Sequence, residues 1–225
     1  MATSGEGPGL IVTDITKTYP GGHSKAVFKN LSFTLSKSGR LAILGRNGQG
    51  KSTLIKLLGG VLPLTSGSIN WRMKSSWPIG LGGGFQGSLS GIDNIRFIAR
   101  IYGKDYHDIF ERVESFAELG SALKRPVKHY SSGMRARLAF GLSLAIEFDC
   151  YLIDELTAVG DARFHRKCDE ELFVKRADRA YLMASHDMNI ISQTCDQALI
   201  IEGGRVRIFD DVDEAIDVYK WLKSS

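Results

Sequence analysis

Nine residues, Gly45 to Thr53 (GRNGQGKST), constrain the fold of this chain more than any other feature. They match G-x-x-x-x-G-K-[ST] at Gly45, Gly50, Lys51 and Ser52. The apolar run RLAILG leads into them. STLIKLLGG follows, with apolar residues at helical spacing and glycines as its stop. A glycine-rich turn between strand and helix lets successive backbone N–H groups face inward around phosphate oxygens. The helix N-terminus adds partial positive charge. Gly45, Arg46, Asn47, Gly48, Gln49, Gly50, Lys51, Ser52 and Thr53 are therefore candidate phosphate-binding residues. Lys51 is expected to reach the β- and γ-phosphates as a point charge, and the Ser52 hydroxyl to ligate Mg²⁺.

Such a loop needs a carboxylate for the metal on a neighbouring strand. CYLIDE supplies one, because Asp154 ends an apolar run at the edge where ligands sit. Glu155 follows and is placed to orient or deprotonate an attacking water. His186 follows a second apolar run in YLMASHDMN, where a neutral imidazole can hydrogen-bond a γ-phosphate. Acids often follow strands, and a lone histidine at a strand end is usually structural. The phosphate loop upstream is what turns both toward a site. In YSSGMRARLAF, Ser131-Ser132-Gly133 starts a further helix. It reads either as a plain N-cap on a core helix or as a second anion site, for a nucleotide held by another subunit.

LIVTDITKTY and AVFKNLSFTL read as strands around the turn PGGH, and SGSINW as another. From about Gly87 to Phe148 apolar residues fall at helical spacing. Strands then return, ALIIEGGRVRIF turns as a hairpin on Gly203 and Gly204, and VDEAIDVYKWLK closes as an amphipathic, core-packing helix. The expected fold class is α/β: a P-loop NTPase (RecA-like) core with an antiparallel β subdomain and an inserted α-helical subdomain. This makes a single nucleotide-binding domain over 1–225, its catalytic core at 10–86 and 149–225 and its helical subdomain at about 87–148.

Net charge is +4, and the cations are scattered rather than gathered in the dense stripe that a nucleic-acid footprint requires. No nucleic-acid partner is expected. Cys150, Cys168 and Cys195 form no CxxC pair, which argues against a metal cluster or a disulfide framework and fits a reduced cytosol. MATSGEGPG carries no export signal. Leu138 to Ile153 is the most apolar region, but Glu147 and Asp149 break it, so it is not expected to span a bilayer. Any work at a membrane must go through a partner.

These elements together resemble the ATP-binding subunit of ATP-binding cassette transporters, from about Leu10 to Trp221. The resemblance implies that Tyr19 stacks on adenine and that Gln86 senses Mg²⁺ and the membrane partner. It also makes Ser131 and Gly133 the signature, Asp154 and Glu155 the second nucleotide motif with its catalytic glutamate, Asp161 an acidic loop residue, and His186 the switch histidine. Three departures stand out: YSSGM in place of LSGGQ, Leu156 after the glutamate where proline is usual, and AVGD in place of SALD. With SWP…FQGSLSG, they are similar to the ATPases of bacterial capsular polysaccharide exporters, with O-antigen and teichoic acid exporters as neighbours. The end of the chain at Ser225 favours the capsule reading, since O-antigen ATPases commonly carry a further carbohydrate-binding domain. The resemblance implies ATP and Mg²⁺ as cofactors and a homodimer with each ATP between one P-loop and the opposing signature. It further implies a polytopic membrane permease as partner, a lipid-linked polysaccharide handled indirectly, and residence at the cytoplasmic face of the bacterial inner membrane. A soluble non-transport cassette ATPase is the rival from another class.

Overall fold

The computed structural model describes residues 7–19, 26–79, 85–155 and 162–224. Asp161, Leu156 and the turn at 20–23 lie outside the described residues. The chain divides into two compact units: Met1–Pro78, Asp149–Glu155 and Asp178–Ser225 in one, Ile79–Phe148 and Leu156–Ala177 in the other.

The first unit holds two sheets. β1 (Leu10–Lys17), β2 (Phe28–Leu35) and β4 (Ser66–Trp71) form an antiparallel sheet ordered β2-β1-β4. β2 buries one face and exposes the other, as its alternating sequence requires. β3 (Arg40–Leu44), β5 (Ser75–Ile79), β6 (Cys150–Asp154), β7 (Ala180–Ala184), β8 (Gln197–Glu202) and β9 (Arg205–Phe209) form a six-stranded sheet ordered β5-β6-β7-β3-β8-β9. The pairs β6–β7, β7–β3 and β3–β8 are parallel, and β9 closes the edge antiparallel to β8. Every residue of β6 and β7 is buried, the physical meaning of their apolar runs, which in β6 end on Asp154. α1 (Lys51–Leu58) packs Leu54, Ile55, Leu57 and Leu58 into a core shared with Leu10, Phe28, Ile43, Leu152 and Leu182.

β5 was not expected from SSWPI, which is short, half polar and carries Pro78. An edge strand tolerates a residue with no N–H to donate. The Ser76 hydroxyl adds what the ladder lacks by accepting from Leu152 N at 2.9 Å. Two helices, α6 (Met188–Thr194), capped by Asp187, and α7 (Val212–Ser224), complete the described part of this unit.

The second unit is helical. α2 (Gly91–Ile101), α3 (Tyr106–Ala117) and α4 (Ser132–Ala145) start on Ser90, Asp105 and Ser131, whose side chains accept from the first-turn amides. α5 (Ala162–Asp169) runs into a π turn at Glu170–Val174. Leu138 to Ala145 of α4 are all buried, and Gly141 brings that helix against Val113 of α3, with room for no more than a tight Cβ. The described residues thus form the expected α/β P-loop fold with an antiparallel β subdomain and an inserted helical block.

Candidate nucleotide site

The loop after β3 is fixed by glycines that no other residue replaces. Gly50 sits at φ 108°, and a Cβ there would lie 2.3 Å from the Val27 side chain. A Cβ on Gly45 would lie 2.6 Å from the Ile201 carbonyl. Behind the loop, a brace holds it from the β8–β9 hairpin and α7. Arg46 pairs with Glu202, Gly203 N donates to Gln49 Oε1 at 2.9 Å, and the buried Tyr219 hydroxyl donates to the Gly45 carbonyl at 3.3 Å. The side chains of Arg46 and Gln49 therefore serve the hairpin, while the Gln49 amide donates within the loop to the Arg46 carbonyl at 3.2 Å. Glu202, Val27 and Tyr219 were not anticipated as site residues. The Gly203-Gly204 turn marked the hairpin, but nothing in the sequence marked what it would hold.

In front of the loop lies a cleft of about 530 Å³. Its lining includes Tyr19, Asn47, Gly48, Gly50, Lys51, Ser52, Thr53, Asp154, Glu155 and His186. Six come from the loop and the start of α1; Asp154 and Glu155 come from the end of β6 and His186 from the end of β7. Parallel strands put these ends on one edge, which is why residues about a hundred positions apart meet. Lys51 Nζ donates to the Gly45 carbonyl at 2.6 Å and to the Arg46 carbonyl at 3.3 Å. Burial draws the Lys51 ammonium below its ordinary pKa, against the opposing pull of Glu155 and Asp154.

Ser52 Oγ donates to Asp154 Oδ1 at 3.0 Å. Asp154 Oδ2 is buried and has no hydrogen-bond partner among the described residues. A buried carboxylate oxygen left unpaired is costly unless something cationic meets it. Burial accordingly holds the Asp154 carboxyl above the usual carboxylate range. A hydroxyl beside a half-satisfied carboxylate is a hard oxygen donor pair that fits Mg²⁺. Glu155 takes the left-handed conformation, φ 52°, with its amide on the Ala184 carbonyl at 2.9 Å. This strained backbone costs about 1 kcal/mol for a side-chain-bearing residue. It turns the carboxylate toward His186, whose Nε2 lies 3.7 Å from Glu155 Oε1.

Gln86, Ser131 and Gly133 belong to the second unit. Fully buried Asn94 clamps the exposed Gln86 by accepting from its amide at 2.7 Å and donating to its carbonyl at 3.0 Å. The Ser131 side chain caps α4 through Met134 N at 3.2 Å, and a Cβ on Gly133 would meet only Ser131 Oγ, in ordinary contact at 3.9 Å.

A family model described as "ABC transporter" matches residues 28–158. The chain belongs to the ABC transporter family. Among curated proteins, it is 52% identical over 198 residues to the capsule polysaccharide export ATP-binding protein CtrD of Neisseria meningitidis serogroup B, covering 88% of this chain and 92% of that one. It is 53% identical over 195 residues to the ATP-binding protein BexA of Haemophilus influenzae, covering 87% and 90%. The O-antigen export system ATP-binding protein RfbB of Klebsiella pneumoniae is more distant, at 36% over 203 residues, covering 88% and 82%. Among solved structures, one titled "Structure of ATP binding subunit of ABC transporter" superposes with a TM-score of 0.76 at 22% identity over 93% of this chain and 94% of that chain, a likeness of fold. As an ABC cassette the chain is an ATP-binding subunit with ATPase chemistry.

Proposed function

We propose that this chain is the ATP-hydrolysing subunit that powers export of a capsular polysaccharide across the bacterial inner membrane, acting as a homodimer on a membrane-spanning partner. The observation that carries the catalytic part is the cleft that gathers the glycine loop, Asp154 with its unpaired oxygen, Glu155 and His186. The transport part rests on the identity to CtrD, against the lower identity to RfbB.

ATP enters with its phosphates on the backbone amides of 45–53 and its base on Tyr19. Lys51 exchanges its two carbonyl partners for β- and γ-phosphate oxygens. Ser52 and Asp154 would hold Mg²⁺, which neutralises charge developing on the transferring phosphoryl group. Glu155 orients a water and takes its proton, and His186 holds the γ-phosphate side of that water. Ser131 and Gly133 of a second copy, at a capped helix N-terminus, supply donors to the same triphosphate. Asp161 joins this set from its motif alone.

No helix among the described residues is long and apolar enough to cross a membrane, so energy must pass to a partner chain. Gln86 and the stretch from Ile79 to Tyr102, of which 80–84 lie outside the described residues, are the proposed coupling surface of a subunit held peripherally on the cytoplasmic face. Leu89, Phe97, Ile101 and Tyr102 are exposed there, with Phe97 and Ile101 one helical turn apart. Substitutions at the exposed Leu89 and the half-buried Ile92 and Asp93 are expected to abolish export in a capsule assay while sparing ATP hydrolysis. If the two always fall together, the coupling surface is elsewhere.

The catalytic test is Glu155→Gln. It should bind ATP, persist as a dimer in size-exclusion chromatography with ATP, and lose turnover by roughly 10²–10⁴-fold. Near-normal turnover removes Glu155 from the mechanism.

A further inference from the structure

Tyr19 is 47% exposed and lines the cleft, whereas Lys17, two residues earlier on β1, is 6% exposed and does not line it. A buried ammonium needs a reason and a partner. Lys17 Nζ donates to the Pro63 carbonyl at 2.7 Å and lies over the Tyr19 ring, 5.1 Å from its centroid. The same connection after α1 also takes Thr18, whose amide donates to Thr65 Oγ1 at 3.0 Å. The Tyr19 hydroxyl meets Thr53 Oγ1, at the start of α1, at 3.4 Å. The ring is thus tied at its hydroxyl to the first turn of α1, and its backbone is tied to the segment that leaves α1.

We propose that Lys17 is a positioning residue for base recognition: its buried ammonium sits on one face of the Tyr19 ring and prepares the other face, toward the cleft, for the adenine of ATP. This rests on the reading of Tyr19 as the base platform. A cation against one face fixes the ring's orientation through its quadrupole and draws electron density toward itself. The opposite face then stacks better on an electron-rich purine. A lysine serves this purpose better than an apolar residue, which would pack behind the ring without polarising it. The phosphates, held by the loop, gain nothing from Lys17.

The test is a double-mutant cycle in the full chain, with binding of ATP and of tripolyphosphate measured side by side in the presence of Mg²⁺. Lys17→Gln keeps a donor for the Pro63 carbonyl and removes the charge; Lys17→Met removes both. Each should weaken ATP binding about 3- to 10-fold and leave tripolyphosphate binding unchanged. In a Tyr19→Leu background the same substitutions should have no further effect on ATP. Equal losses for ATP and tripolyphosphate, or a loss that persists without the ring, would overturn the proposal in favour of a structural lysine. So would an unchanged ATP affinity in a Lys17→Gln chain whose melting temperature matches the parent. If Tyr19→Leu alone leaves ATP affinity intact, the platform reading itself fails, an outcome distinct from failure of the Lys17 step.

Discussion

At the scale of single residues, Asp154 carries the most consequence. Its carboxyl is held above the ordinary range by burial, so the folded chain binds that proton more tightly than the unfolded chain. The sign follows: the contribution of Asp154 to stability is full below the unfolded pKa and is lost as pH rises through the folded one. Without Mg²⁺ at neutral pH, Asp154→Asn should therefore melt higher than the parent by about 2–4 °C, and the gap should close on acidification. In the same variant Mg²⁺-dependent ATP turnover should disappear. A variant that melts lower at neutral pH would show that Oδ2 is satisfied in solution. Gly50 makes the opposite case. Gly50→Ala must adopt a left-handed backbone against Val27, and ATP binding should be lost with a stability loss of about 1–3 kcal/mol by denaturant melt. These residues were legible because their chemistry is local: glycine, lysine and serine at fixed spacing, acids after apolar runs. Glu202 and Tyr219 were not legible, because each acts through a contact spanning more than 150 residues.

At the scale of elements, the phosphate loop has a back as well as a front. The β8–β9 hairpin and α7 hold that back at Arg46, Gln49 and Gly45. Tyr219→Phe keeps the packing and removes one hydrogen bond, worth about 0.5–1.5 kcal/mol. Its expected effect is a rise in the ATP dissociation constant of about 2- to 10-fold, with the fold intact by circular dichroism. The sequence reading of VDEAIDVYKWLK as core packing was right about the helix and silent about this role. The strands that carry the acid and the histidine were readable because β7 is apolar throughout and β6 is apolar up to Asp154, as expected of parallel strands covered on both faces. β5, α5 and α6 were not. β5 takes its place from pairing to β6, and α5 is half charged, with Phe164 and Cys168 as its buried residues. Tertiary context rather than pattern decides such segments.

At the scale of the whole molecule, all three cysteines are buried. Burial pushes the Cys168 and Cys195 thiols up to about 12 and Cys150 higher still. Thiolates are the reactive form, so the native chain should resist a thiol reagent at neutral pH and release three equivalents only in denaturant. Rapid labelling of the native chain would contradict that burial. α4 has a different consequence. From Leu138 to Ala145 it is buried on every side, whereas Ser131 and Gly133 at its start are not. A polar substitution in the buried turns unfolds the helical unit, and the cell degrades the product. In a screen for loss of capsule, missense alleles in those turns should therefore cluster with nonsense alleles by protein abundance on an immunoblot. Alleles at Ser131 or Gly133 should leave abundance normal and, when co-expressed with the parental gene, behave as dominant negatives, so one helix divides into a recessive half and a dominant tip.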